Sequence, residues 1–206
     1  MLWNKVLNSK PPITGATRGV FGGGNSGSSS AVIDYITIAT TGNATSFGNL
    51  TVARDSLAGV SNGIRGVFGG GFASTAVMDY ITIATTGNAT SFGNLTVARY
   101  GVSGISNSTR GVFGGGNTGS YSAVIDYITI ATTSNAISFG NLTVARANAA
   151  GVSSSTRGVF GGGFAVSGVF IFYAVIDYIT IATTGNATSF GNLTIARAGL
   201  SGVSGS

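Results

Sequence analysis

Cysteine, histidine and glutamate are absent from this 206-residue chain, and all five acidic residues are Asp. Those absences exclude zinc and thiolate sites, Cys or Ser-His nucleophiles and imidazole acid–base chemistry. No disulfide supports the fold. Charged residues are scarce, at 7%, and no apolar run approaches the roughly 18 residues that span a bilayer. The opening stretch from Met1 to Leu7 lacks the basic region, apolar region and small-residue cleavage site of a signal peptide. No catalytic residue, metal site, cofactor or membrane span is therefore expected.

What is present is Gly, Ser, Thr, Ala and Asn between short β-branched runs, a composition that suits an all-β repeat fold. The net charge of +5 comes largely from eight Arg that recur two per repeat. Basic clusters interleaved with stacking aromatics are lacking, so no nucleic-acid partner is expected.

Four near-identical copies of one block fill the chain: RGVFGGG, a variable stretch, then DYITIATT, SFGNLT and a closing AR. They begin at Arg18, Arg65, Arg110 and Arg157, spaced 47, 45 and 47 residues apart. A fixed period of that size marks stacked supersecondary units, none of which buries its apolar face alone. Each closing Arg (Arg54, Arg99, Arg146) lies eleven residues before the next opening one. Nine residues follow Arg197, and adding Thr17 and Arg18 again makes eleven. A ring accounts for that register better than a rod.

One copy reads as four strands. Leu57 to Ser61 is a strand of small residues, followed by the hairpin signal Asn62-Gly63. Ile64 to Phe68 is the second, ended by three glycines. Ala76 to Thr85 is the third, with apolar residues on both parities, as in a sheet covered on both faces. After a turn at 86–89, Phe92 to Ala98 is the fourth. Four antiparallel strands repeated radially make a propeller blade. The innermost strands AGVS, SGIS, AGVS and SGVS are small enough for close approach around a tight axis.

These features resemble the kelch family of β-propellers: the apolar strand running into glycines (Val20 to Gly23), the Asp34-Tyr35 pair, the aromatic Phe47 and the following Arg54. The resemblance covers residues 17–206. It departs from the family in carrying Phe where kelch repeats usually have Trp, in a longer third-to-fourth connection, and in having four copies. The wording of the copies is also similar to repeat proteins of marine bacteriophages, especially those infecting cyanobacteria.

The expected architecture is an all-β, four-bladed propeller at 17–206, after an N-terminal arm at 1–16. The blades are 17–54 with 199–206, 55–99, 100–146 and 147–198, the C-terminal strand closing the ring. In the arm, Leu2, Trp3, Val6 and Leu7 form one apolar face of a short helix before Pro11-Pro12, which either anchors an assembly or docks on the disc.

The copies differ in two connections: after the glycines (25–30, 72–75, 117–122, 164–173) and after the closing Arg (55–57, 100–102, 147–149, 198–200). In a four-stranded antiparallel blade both emerge on one side, so one face varies. Recognition and unconstrained loop drift both fit that pattern. The candidate contact residues are Phe72, Tyr100, Tyr121, Asn148, Phe164, Phe170, Phe172 and Tyr173. The apolar loop 164–173 either meets a partner or folds over the disc and plugs its channel.

Asp34, Asp79, Asp126 and Asp177 recur identically, which suits structural hydrogen bonding to an Arg or to backbone in the same or the next blade. One of the two Arg sets could then stay unpaired as a positive ring for an anion. The GGG runs lack the following Lys-Ser/Thr and helix of a phosphate loop. Asp55 alone breaks the acidic pattern and makes no active site.

The function these readings favour is a non-enzymatic structural or adhesive module, virion-borne or extracellular. Its varied face would meet a host surface glycan or another virion protein, and a homo-oligomer is compatible. The alternative is a kelch-type scaffold that binds a peptide. A third reading takes the ITIATT runs as a flat ice- or lattice-binding surface.

Overall fold

Each repeat folds as one antiparallel sheet because its short β-branched runs are separated by Gly- and Asn-rich turns too tight for any other connection. The structure, a computed structural model, describes residues 17–72 and 74–204, which hold strands and no helix. In particular, no helix is long and apolar enough to cross a membrane. The first repeat gives β1 (Arg18–Gly22), β2 (Val32–Thr37) and β3 (Thr45–Asn49). The second gives β4 (Ala58–Ser61), β5 (Arg65–Gly69), β6 (Val77–Thr82) and β7 (Thr90–Asn94). The third gives β8 (Ser103–Ser106), β9 (Arg110–Gly114), β10 (Val124–Thr129) and β11 (Ile137–Asn141). The fourth opens with β12 (Ala150–Ser153) and β13 (Arg157–Gly161). It then inserts the hairpin β14 (Phe164–Ser167) and β15 (Val169–Phe172) before β16 (Val175–Thr180) and β17 (Thr188–Asn192).

Three sheets have four strands in the order inner, second, third, outer; among the described residues the first repeat has β1-β2-β3 alone. In every copy the pairing of third and outer strands shifts by one residue just before the Asp, as between Met78 and Asp79. Such a bulge re-aims a side chain, here the carboxylate.

Strand bounds differ from the sequence reading by more than one residue in two strands. The third strand stops at Thr82 rather than Thr85, because the Thr85 N–H turns back to the Thr82 carbonyl. The outer strand runs 90–94 rather than 92–98: the Leu95 N–H makes the last cross-strand bond, to Ala76 O, and Thr96 is already held by the next repeat.

The sheets pack in series. One apolar cluster joins repeats one and two through Phe47, Phe68 and Ile83; a second joins two and three; a third joins three and four through Phe139, Phe160 and Ile181. The repeated contact sets a Phe of one sheet against a Gly of the sheet before it. A Cβ on Gly22 would stand 2.9 Å from the Phe68 ring, and one on Gly69 2.8 Å from Phe113. Fully burying a Phe contributes about 1.5–3 kcal/mol, so each of these rings helps to fasten one sheet to the next.

Among the described residues, closure by the C-terminal strand is not formed. There, residues 201–204 carry no strand, β1 pairs only with β2, and no core cluster joins the fourth sheet to the first. Instead the C-terminal segment lies on β12: a Cβ on Gly202 would meet Gly151 O at 3.1 Å. The arm residues Leu2, Trp3, Val6 and Leu7 lie outside the described residues.

Candidate functional site

The carboxylates and one Arg set settle into the frame rather than a site. Three of the four closing Arg reach forward into the next repeat: Arg54 Nη2 to Asp79 at 2.9 Å, Arg99 Nη1 to Asp126 at 2.8 Å, Arg146 Nη1 to Asp177 at 2.9 Å, all with side chains 0% exposed. The same guanidinium donates to the carbonyl of Phe68, Phe113 or Phe160. The Asp also accepts a 2.5 Å bond from the hydroxyl of Thr51, Thr96 or Thr143 in the preceding repeat. Burial pushes the Arg54 and Arg99 guanidinium groups below their ordinary value, with the partner carboxylates opposing the shift.

The opening Arg set forms no free cationic ring. Arg18, Arg65, Arg110 and Arg157 each lie over the Tyr that follows the repeat's Asp, 4.2–4.5 Å from its ring centroid. The first three also donate into the next repeat, to the carbonyls of Ile83, Ile130 and Ile181. The anion site considered from the sequence therefore loses its cations to aromatic faces and carbonyls.

The variable connections do gather. At one position in each repeat the backbone takes positive φ, at Ser56 (55°), Gly101 (63°), Asn148 (53°) and Gly199 (67°). These residues are laddered: the Gly101 N–H donates to Ser56 O, Asn148 N–H to Gly101 O, and Gly199 N–H to Asn148 O. This rung ties each connection to the next and fixes the spacing of what it carries. Only Gly, or Asn and Asp at some cost, take that conformation routinely, which accounts for Asn148 better than ligand contact does.

On this frame the Phe72 and Tyr100 rings meet edge to face at 5.5 Å, as do Tyr121 and Phe164 at 5.4 Å. The second pair continues into the hairpin, where Phe164 stacks on Phe170 at 5.8 Å and Phe170 on Phe172 at 6.4 Å. Phe170 is 67% exposed, and Val169 and Phe172 are exposed beside it. The loop thus projects as a β-hairpin instead of plugging a channel. Tyr173 stands at its base, holding it through backbone bonds to Gly163 and Arg197. No protein-family model and no curated protein matches this chain. The face is accordingly read from its own chemistry.

Sequence reasoning missed a polar cluster at the opposite end of the face. Asp55 accepts from the Ser29 hydroxyl at 2.8 Å, from Ser56 at 2.8 Å and from Asn25 at 3.3 Å. These bonds, Ser29 first, hold its carboxyl below the usual carboxylate value. The signal was there but faint: the one pattern-breaking acid stands in one variable connection and its Ser29 and Asn25 partners in the other, 26 and 30 residues earlier in the chain. From end to end the face grades from hydrogen-bonding groups at Asn25, Ser29 and Asp55 to bare aromatic rings at Phe170 and Phe172.

Proposed function

We propose that the chain is a non-enzymatic adhesive or structural module that engages its partner through the face of variable loops, as a virion protein contacting a host surface glycan or another virion protein. The sheets act as kelch-like propeller blades whose succession completes when a last sheet meets a first one. The observation that carries the reading is the exposed aromatic row at one end of a face whose other end offers hydrogen-bonding side chains. Flat rings take the apolar face of a sugar or a partner's side chains, while an Asp with hydroxyl and amide neighbours fixes orientation. An apolar hairpin held out in water marks a contact surface. The virion setting rests on the likeness of the repeat wording to phage proteins.

A glycan array probed with the full chain tests this. Binding is expected, and Phe170→Ala with Phe172→Ala should abolish it without changing the melting temperature. A blank array together with capture of an extended peptide would favour the scaffold reading, for which β15 offers a free strand edge. Equal binding by the double variant would refute the role of the aromatic row.

A further inference from the structure

We infer that copies of this chain join head to tail, the last sheet of one receiving the first sheet of the next, with residues 201–204 of the first copy supplying the inner strand that the second copy's β1 lacks. The three junctions between the described sheets are one interface repeated, and the outward faces of the first and fourth sheets are its unmatched halves.

Consider first the charges. Arg54, Arg99 and Arg146 are buried against Asp79, Asp126 and Asp177 of the following repeat. The series leaves over Arg197, exposed at one end, and Asp34, half-buried at the other. The apolar halves follow the same rule. Phe68, Phe113 and Phe160 are buried on a preceding glycine, whereas Phe21 is 60% exposed and Gly161 has no ring against it. Phe47, Phe92 and Phe139 are 3% exposed under the next repeat, whereas Phe190 is 55% exposed. The residues that would cover it, by analogy with Ile83 and Ala89 over Phe47, are Ile38 and Ala44, both exposed at the first sheet.

Backbone halves match as well. The inner strands stack Gly on carbonyl: Cβ positions on Gly104 and Gly151 face the carbonyls of Gly59 and Gly104. Gly202 sits on Gly151 in the same way, so residues 201–204 already occupy the inner-strand place of a sheet that would come next. Gly199, too, already stands as the next rung of the positive-φ ladder. What that segment lacks is a second strand to pair with, and Val203 is 94% exposed. At the other end β1 has a second strand's sequence and, among the described residues, no strand on its inner edge. Beside it opens a groove of about 330 Å³ lined by Val20, Val60, Val67, Phe68 and Ser106. The register of β4 on β5 (Val60 opposite Val67) places Val203 opposite Val20 of the next copy.

The junction is heterologous, so it gives a ring if its rotation closes and a filament if it does not. A second copy is the occupant that matches charge, ring, glycine and strand at once.

Because the chain has no cysteine, Val20→Cys with Val203→Cys gives one clean pair for oxidation. Disulfide-linked multimers in steps of the 20.4 kDa chain on a non-reducing gel are expected. A cross-linked monomer would overturn the proposal by showing that the chain closes on itself, and so would no cross-link. Sedimentation of the full chain should show mass rising with concentration. Asp34→Arg alone and Arg197→Asp alone should each stay monomeric, both being end residues that need not disturb the internal junctions. Mixing these two variants should restore association, because each supplies the charge its neighbour needs at both junctions. Wild-type chain that stays monomeric, or variants that associate alone, or a mixture that does not, would each refute it.

Discussion

Arg99 and Arg197 are the same residue of the repeat, one sealed inside a junction and the other in water, and that contrast yields a sharp stability test. Arg99 donates to Asp126 at 2.8 Å and to Phe113 O at 3.1 Å with no exposed side-chain area. Arg99→Met removes the cation and leaves Asp126 buried, its remaining partners being the Thr96 hydroxyl and amide. Removing one partner of a buried pair costs about 3–5 kcal/mol, because the surviving charge has lost its compensation. At about 2–4 °C per kcal/mol for a chain of this size, the melting temperature falls by about 6–20 °C. Arg197→Met, measured at a concentration where the chain is monomeric, should leave the melt within about 0.5 kcal/mol of wild type, as surface changes do. Adding Asp126→Leu to Arg99→Met should recover most of the loss, since apolar replacement of both partners is often close to neutral. Urea titrations followed by circular dichroism give the three differences. Equal losses at Arg99 and Arg197 would refute the placement of the junction pairs, as would a neutral Arg99→Met.

Gly104→Ala puts a methyl 2.8 Å from the Gly59 carbonyl and 3.1 Å from Val60, and overpacking of that kind should cost about 1–3 kcal/mol in a urea melt; Gly42→Ala, which meets nothing within 4 Å, should be neutral or slightly stabilising. Arg65→Lys keeps the charge over Tyr80 but loses the planar fork that also reaches the Ile130 and Ala131 carbonyls, so thermal melts should show a loss of about 0.5–1 kcal/mol. Asp55 has a depressed folded pKa, held down first by Ser29. Its contribution is present in full above its ordinary value of 3.8 and fades as pH falls through the depressed value. The stability gap between wild type and Asp55→Asn should therefore narrow only below about that pH, and a gap constant across acid titration would contradict the hydrogen bonds drawn to Ser29 and Asn25.

The repeat, its four strands and the position of the variable loops were legible because each rests on a local signal. The glycines after Phe21, Phe68, Phe113 and Phe160 end a strand wherever they occur, and Asn62-Gly63 turns a hairpin by itself. The partner of each Asp was less legible. Sequence alone offers two Arg per repeat; the bulge before the Asp, invisible in the alternation of side chains, aims the carboxylate across the junction at the preceding repeat's closing Arg. The Tyr beside it then takes the other Arg on its ring face. The exposed state of the 164–173 loop was open for a different reason: Phe, Val and Ile fit a plug and a projecting hairpin equally. Gly168, with φ +75°, decides for the hairpin by turning β14 onto β15.

Ring closure shows where spacing stops being informative. Eleven residues separate each closing Arg from the next opening one, and the same interval bridges the two termini. That count fixes the register in which residues 201–204 meet a β1 strand, but it is silent on whose β1 it is. Geometry at the junctions bears on the choice. Close contacts hold each sheet against the next at both edges, Gly104 on the Gly59 carbonyl at the inner one and Asn94 N–H on Asn135 Oδ1 at the outer one. With inner and outer edges both in contact, a wider angle at any junction would have to break the outer bond to bring the fourth sheet round to the first. First and fourth sheets that carry matching halves, with junctions that would lose an outer bond on bending, satisfy those halves most readily with another molecule. A compact monomer with Phe21 and Phe190 both protected from solvent would show instead that the junctions bend enough to close on themselves.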